Sequence, residues 1–189
     1  PAGPSEVEVI ADESANPAFI AADFLSQAEH GVDSQAMLVT ASESIVEPVM
    51  QAIREQLDRL PRKEITEKSL SRSRLIVLQD RQEVIDFTNL YAPEHLIIQT
   101  TDYADIAGQV ENAGTVFMGP YTPESAGDYA SGTNHTLPTN GYAKAYSGVN
   151  LDSFIKKITF QEITADGIRL LGGTIRTMAA NEQLDAHKN

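Results

Sequence analysis

The chain has 189 residues, 41% of them hydrophobic, and its 27 acidic against 14 basic residues give a formal net charge of −13. A surface this acidic repels phosphate backbones, which argues against a nucleic-acid partner. No apolar run approaches the roughly 18–20 residues that cross a bilayer, so we expect no membrane segment.

Cysteine is absent, which excludes disulfides and thiolate zinc sites and fits a reducing compartment. No secretory leader opens the sequence, so we expect a soluble, cytoplasmic protein. The sequence begins at Pro1 with almost no lead-in before the first apolar run. We therefore expect it to be part of a longer chain.

Short β-branched runs alternate with helical patterns along most of the sequence. The predicted strands are 7–11, 36–40, 74–78, 96–98 and 115–118. The predicted helices are 17–30, 44–60, 63–70, 81–90 and 102–112. Strands that are apolar throughout and separated by helices are typical of a parallel sheet covered on both faces. The pattern predicts an α/β fold with a mainly parallel, doubly wound, incomplete Rossmann-like sheet and a C-terminal helical arm.

Helix boundaries carry their own signals. Asn16 before Pro17 predicts the start of the first helix, and Gly31 predicts its end. Ser44 and Glu47 have the spacing of a capping box for the second helix. Asp102 is predicted to cap the last helix of the α/β region.

Two domains are predicted. Residues 1–148 form the α/β domain and include a structureless polar loop over 119–148, a length that usually serves a function. Residues 149–189 form a helical arm, with one long helix from Thr164 to His187 that could kink at Gly172-Gly173. The apolar stripe of this helix needs a surface to cover it.

Polar clusters around the four histidines are the candidate functional residues. Gln27 and His30 are three residues apart at a predicted helix end, so they share a face. They are either a polar last turn, where a histidine suits the helix dipole, or a pair of metal ligands. Glu94 and His95 precede a buried strand. They either belong to a helix start, where a carboxylate suits the helix dipole, or form an acid–base pair.

Four more candidates lie towards the C-terminus. Asp128 and His135 fall in the long loop and are either turn formers or site residues. Glu182 and His187 end the last helix, where solvated charge is the alternative to function. Parallel sheets bind ligands at the carboxyl ends of their strands, so we expect a site at that edge. The sequence has no G-x-G-x-x-G phosphate loop.

Taken together and in order, these segments resemble motifs of the histidinol dehydrogenase family from the first residue to the last. The segments are Pro1-Ala2-Gly3-Pro4-Ser5-Glu6, Gln27-Ala28-Glu29-His30, Ala92-Pro93-Glu94-His95-Leu96, Pro123-Glu124-Ser125-Ala126-Gly127-Asp128-Tyr129, Gly132-Thr133-Asn134-His135-Thr136-Leu137-Pro138-Thr139 and 182–187.

The resemblance implies oxidation of L-histidinol through L-histidinal to L-histidine, in histidine biosynthesis, with reduction of two NAD. It implies one Zn²⁺, and it implies that His95 is the general base and Glu94 the group that activates water. It also implies a homodimer with a swapped C-terminal arm. The implied zinc ligands are Gln27, His30, Asp128 and His187. The implied substrate contacts are Ser5, Gln27, His30, Glu94, His95, Asp128, His135, Glu182 and His187.

The N-terminal half of the family, where the residues that contact NAD are expected, has no counterpart in this sequence. Two other classes of function remain open at this point. One is a non-catalytic zinc-binding or interaction module. The other is a metal-assisted hydrolase, because histidine, glutamate and a metal also serve hydrolysis.

Overall fold

The computed structural model describes residues 3–189 and divides the chain into two compact units, the first ending at Ser153 and the second spanning Phe154–Asn189. The division predicted from the sequence, between 148 and 149, lies a few residues earlier. Within the described residues, no helix is both long and apolar enough to cross a membrane.

The first unit is built on one five-stranded sheet. Its strands are β1 (Glu6–Ala11), β2 (Gln35–Thr40), β3 (Arg74–Val77), β4 (His95–Gln99) and β5 (Thr115–Met118). The spatial order is β3-β2-β1-β4-β5, and every pairing is parallel. The predicted doubly wound α/β fold is confirmed, with each predicted strand found within a residue or two of its expected bounds.

Helices connect the strands. They are α1 (Pro17–Ala28), α2 (Val46–Leu57), α3 (Lys63–Leu70), α4 (Arg81–Tyr91), α5 (Tyr103–Ala107) and α6 (Glu124–Tyr129). Short 3₁₀ turns occur at Glu43–Ile45, Tyr142–Lys144 and Leu151–Phe154.

The alternation of side chains along β1 divides the core into two layers. Val7 and Val9 pack with α1 and α2 on one face, whereas Ile10 packs with α4 and α5 on the other. Strand β4 follows the same rule, so His95 and Ile97 share the α1 face. Because both faces are covered, apolar residues occur on both faces of these strands, although β1 also carries the buried Glu6 and Glu8.

Some boundary predictions were wrong for local reasons. Asn16 caps α1 as predicted, accepting a hydrogen bond from the backbone N–H of Ala18. However, α1 ends at Ala28 with the right-handed residue Glu29 as its cap, so Gly31 does not terminate it. A 3₁₀ turn precedes α2, and no side chain caps that helix, so the Ser44–Glu47 capping box does not form. Asp102 occupies the N-cap position of α5 as predicted, but its carboxylate makes no capping hydrogen bond and pairs with Arg81 instead.

The segment 119–148 is not the structureless loop that was predicted. It contains α6 and the turn Tyr142–Lys144. Helix α6 has only six residues and includes Gly127, so it is too short to show a helical period in the sequence. Its presence matters because it carries two acidic side chains into the candidate site.

The second unit consists mainly of helix α7 (Ala165–Asn181), followed by a 3₁₀ turn at Asp185–Lys188. Thr164 caps α7 by accepting from the N–H of Gly167, and the helix runs unbroken through Gly172-Gly173. The predicted continuation to His187 was wrong, because Gln183 has a left-handed φ of 61° that ends the helical path. Several apolar side chains of α7 are exposed, among them Ile168, Leu171 and Met178.

One buried carboxyl group in the first unit serves no part of the candidate site. Glu8 lies on the α4 face of β1 with no exposed surface, and it accepts a hydrogen bond from the hydroxyl of Thr88. Its second oxygen, Oε2, has no partner among residues 3–189. Burial raises the pKa of Glu8 to about 8.

A raised pKa of an acid means that ionisation opposes folding. The free energy of unfolding should therefore fall as the pH rises from 4.5, the ordinary pKa of the group, to about 8. Glu8→Gln keeps an acceptor for Thr88 and cannot ionise. We expect it to be more stable than the parent by about 3 kcal/mol at pH 7, with the difference vanishing below pH 4.5. Urea unfolding across this range measures it, with the exposed Glu64→Gln as control. A difference between Glu8→Gln and the parent that did not change with pH would contradict it.

Candidate active site and metal centre

The candidate residues of the first unit gather at the amino edge of the sheet. His95 is the first residue of β4 and lies in register with Val7 of β1, so Ser5 and Glu94, which precede these strands, are neighbours. Helix α1 runs back against the strands and brings Gln27 and His30 to the same edge. The candidate residues therefore lie opposite the carboxyl ends, where a site was expected.

His95 is buried, and one hydrogen bond fixes its protonation. Nδ1 lies 3.1 Å from the backbone carbonyl oxygen of Glu6. A carbonyl oxygen only accepts, so Nδ1 carries the proton and Nε2 carries the free lone pair. Nε2 is buried and has no partner among the residues described. Desolvation by burial lowers the pKa of His95, so the ring is neutral and Nε2 can act as a base.

Glu94 is held by two donors at the start of β1. Its Oε2 accepts from the Ser5 hydroxyl at 2.6 Å and from the Glu6 backbone N–H at 2.9 Å. Desolvation by burial raises the pKa of Glu94 to about 7, with smaller contributions from the carboxylates of Glu6 and Asp128. Glu94 therefore takes up and gives off a proton near neutral pH, which suits a general base for water.

The two residues predicted at the end of α1 differ in environment. Gln27 lies in the last turn, fully buried, with its Oε1 3.5 Å from the Ser5 hydroxyl and its Nε2 without a partner in the described part of the chain. His30 lies beyond the helix and is exposed.

Helix α6 completes the cluster. The ligand atoms of His30, Glu124 and Asp128 all lie within 4.8 Å of one another, close enough for one metal ion to contact all three. Glu124 and Asp128 are four residues apart on α6, so they share one helix face.

Sequence reasoning missed Glu124 as a site residue. Its carboxyl group is buried, Oε1 lies 3.9 Å from Nδ1 of His95, and Oε2 has no partner within residues 3–189. Desolvation by burial raises the pKa of Glu124 to about 9, aided by the nearby Asp128 carboxylate. Its i, i+4 spacing to Asp128 was the available signal, but that signal depends on predicting α6.

Two further residues that sequence reasoning missed anchor α6. Asp23 of α1 accepts from the Gln99 side chain at 2.8 Å and from the backbone N–H of Glu124. Both side chains are buried. This contact ties the first residue of α6 to α1 and to the end of β4.

These groups surround a cavity of about 380 Å³. Its lining residues are Gly3, Ser5, His30, Glu94, His95, Glu124, Asp128, His135, Thr136, Leu137 and Thr139. His135 reaches it from the loop after α6, which is tied to β1 where the N–H of Asn140 donates to Glu6 at 3.1 Å. The lining has three carboxyl groups and three imidazoles but no lysine or arginine. Such a cavity favours a cationic occupant, either a divalent metal or a protonated amine.

Glu182 and His187, the other two predicted site residues, belong to the second unit. Glu182 is the C-terminal cap of α7. His187 is exposed in the final 3₁₀ turn, where its N–H donates to the carbonyl of Leu184.

Comparison with known proteins agrees with the resemblance of the motifs. The sequence model of the histidinol dehydrogenase family matches residues 1–189. The histidinol dehydrogenase of Bacteroides fragilis strain YCH46 is 68% identical over all 189 residues, and the chloroplastic histidinol dehydrogenase of Arabidopsis thaliana is 58% identical. The crystal structure of histidinol dehydrogenase from Elizabethkingia anophelis superimposes with a TM-score of 0.93 at 57% identity, over 100% of this chain.

The chain spans 44% of the Bacteroides protein, 41% of the Arabidopsis protein and 43% of the Elizabethkingia chain. The match to the family model nevertheless covers this whole sequence. The chain therefore belongs to the histidinol dehydrogenase family.

Proposed function

We propose that this chain supplies the substrate, metal and acid–base residues for NAD-dependent oxidation of L-histidinol through L-histidinal to L-histidine, in histidine biosynthesis. The observation that supports it best is the cavity at the amino edge. Three carboxyl groups and three imidazoles line it without a basic side chain, which suits a substrate that carries an amine and an imidazole.

His95 is the base for the alcohol step. Its Nε2 lone pair takes the hydroxyl proton while the carbinol carbon loses a hydride. NAD, when bound, supplies the hydride acceptor. The residues that contact NAD are expected in the part of the family's sequence that this chain does not cover.

Glu94 is the base for the aldehyde step. It takes a proton from water as the oxygen attacks the aldehyde carbon, and the hydrate then loses the second hydride. The two steps remove four electrons and reduce two NAD. The bonds from Ser5 and Glu6 hold the Glu94 carboxyl group beside the cavity.

Zinc fits the donor set, which consists of nitrogen and oxygen atoms without thiolate. We assign Gln27, His30, Asp128 and His187 as its ligands, by the resemblance of their motifs. The ion would fix the substrate imidazole and amine in place. The substrate contacts proposed for Ser5, His135 and Glu182 have the same basis.

The proposal is tested in a full-length chimera, in which the Bacteroides fragilis relative supplies the part that this chain does not cover. We expect two NADH per L-histidinol, counted by absorbance and by L-histidine formed. A chimera that binds zinc but never reduces NAD with L-histidinol would favour the non-catalytic module. Release of a cleavage product from ester or amide substrates, without NADH, would favour the hydrolase.

The proposed assembly is a homodimer in which the C-terminal arm serves the partner subunit. The exposed apolar side chains of α7 support this proposal, because their contact with water is unfavourable and a partner subunit would cover them. Mixing an inactive His30→Ala chimera with an inactive His187→Ala chimera should then restore activity. Heterodimers would contain one intact site. No recovery, despite subunit exchange shown by mass spectrometry, would mean that His187 serves its own chain.

A further inference from the structure

We propose that Glu124 is a metal-facing carboxylate, and that with His30 and Asp128 it lets the first unit hold a divalent cation without any residue of the second unit. The inference rests on the metal dependence proposed above. The inference gives a role to Glu124, to which the resemblance of the motifs assigned none. It also makes metal loading independent of the arm that carries His187.

The first support is geometry. One ligand atom each from His30, Glu124 and Asp128 lies within 4.8 Å of the other two. Ligand atoms about 2 Å from a common zinc ion lie roughly 3–4 Å apart, so a small closure of these side chains is enough. Two of the three residues sit one helical turn apart on α6, which fixes their separation.

The second support is the unsatisfied state of the Glu124 side chain. The residue is 2% exposed, yet Oε2 has no hydrogen-bonding partner in the described part of the chain. Burying such an oxygen without a partner is costly. The neutral ring of His95 does not satisfy the carboxyl group either, because its Nδ1 lies 3.9 Å from Oε1, beyond hydrogen-bonding distance.

The third support is how Glu124 is anchored. Its backbone N–H is held by Asp23, so the position of the residue does not depend on its side chain. Glu94, by contrast, uses its Oε2 to bind Ser5 and Glu6. The Glu94 Oε2 is therefore occupied by hydrogen bonds at the start of β1, whereas the Glu124 Oε2 has none and can contact an ion.

Charge balance agrees with this set. Two carboxylates offset the charge of a divalent cation, and the imidazole of His30 supplies a third donor atom. No lysine or arginine appears among the cavity residues to balance the two carboxylates in place of the cation. The ion would thus satisfy the orphaned oxygen and stabilise the charged form of Glu124 beside Asp128.

The test measures Zn²⁺ affinity of the 189-residue chain by competition with a chromophoric chelator. All samples carry His187→Ala, which removes the arm's ligand. In that background we expect Zn²⁺ to bind with one-to-one stoichiometry. Adding Glu124→Gln should weaken binding at least about tenfold, as should His30→Ala. Adding Glu94→Gln, the matched control in the same cavity, should change it less than about threefold.

The Co²⁺ form gives a second readout, because its visible spectrum reports the ligands directly. Glu124→Gln should change that spectrum, whereas Glu94→Gln should leave it unchanged. Glu124→Asp keeps the carboxylate and should recover part of the affinity, so a result does not depend on whether the Gln variant folds. Circular dichroism establishes folding of each sample.

Two results would overturn the inference. One is equal Zn²⁺ affinity with and without Glu124→Gln. The other is the absence of specific Zn²⁺ binding once His187 is removed. Neither bears on whether the chimera reduces NAD with L-histidinol, so failure here and failure of the proposed function are separable.

Discussion

His95→Gln should slow L-histidinol oxidation by the full-length chimera roughly 10²–10⁴-fold, the usual loss when a general base is removed. The physical reason is that Nε2 holds the free lone pair, since Nδ1 is committed to the Glu6 carbonyl at 3.1 Å. Glutamine fills a similar space and offers an amide with no comparable basicity. Steady-state kcat, with KM followed separately, measures the effect. Wild-type kcat in a folded His95→Gln chimera would exclude His95 as the base.

Glu94→Gln separates the two oxidations. Its oxygen still accepts from Ser5 and Glu6, so the local structure is kept while the basic group is lost. We expect kcat with L-histidinal as substrate to fall more than the rate of the first hydride transfer from L-histidinol in single-turnover measurements. Equal losses in both would contradict the division of roles between Glu94 and His95.

The sheet could be predicted because its signal is local. Central strands such as β2 and β4 are buried on both faces, so their sequences are continuous apolar runs bounded by polar turns. Helix ends were harder to predict. Gly31 is a usual terminator, but α1 ended three residues before it, because the chain turns there to enter β2.

The site could be predicted only in part, because the motifs give residue types but not the edge at which they meet. Parallel sheets usually bind ligands at the carboxyl ends of their strands, and this rule predicted the wrong edge of the sheet. Ser5, Glu94 and His95 lie at the starts of strands rather than at their ends. Asp23 and Gln99 left no signal at all. Their pairing joins residues 76 positions apart in the chain, and nothing in either segment marks them as partners.

Gly114→Ala is a further change for which we expect a large effect, although it replaces only a hydrogen atom with a methyl group. A Cβ at this position would lie 2.4 Å from the backbone carbonyl oxygen of Glu94 and 3.2 Å from Cβ of Leu137. The first contact is with main chain, which cannot rotate away. The same carbonyl accepts the N–H of Thr115, immediately before β4 and β5 begin to pair.

Relief of this clash must therefore move the segment that carries Glu94 and His95. Overpacking of this kind typically costs about 1–3 kcal/mol. We expect a lower melting temperature and, in the chimera, a loss of kcat of at least about tenfold, because small displacements of catalytic groups reduce rates strongly. The control is Gly108→Ala at the end of α5, where the added Cβ would meet its neighbours at an ordinary 3.6 Å.

Comparing the two alanine variants distinguishes a positional effect from a general loss of glycine flexibility. Neither Gly114 nor Gly108 has the left-handed φ that favours glycine, so strain in the backbone does not separate them. If only Gly114→Ala lowers kcat while the chain remains folded, close packing of β5 against the Glu94 carbonyl sets the position of the acid–base pair. If both variants retain full activity, the start of β4 tolerates displacement, and the site does not depend on this contact.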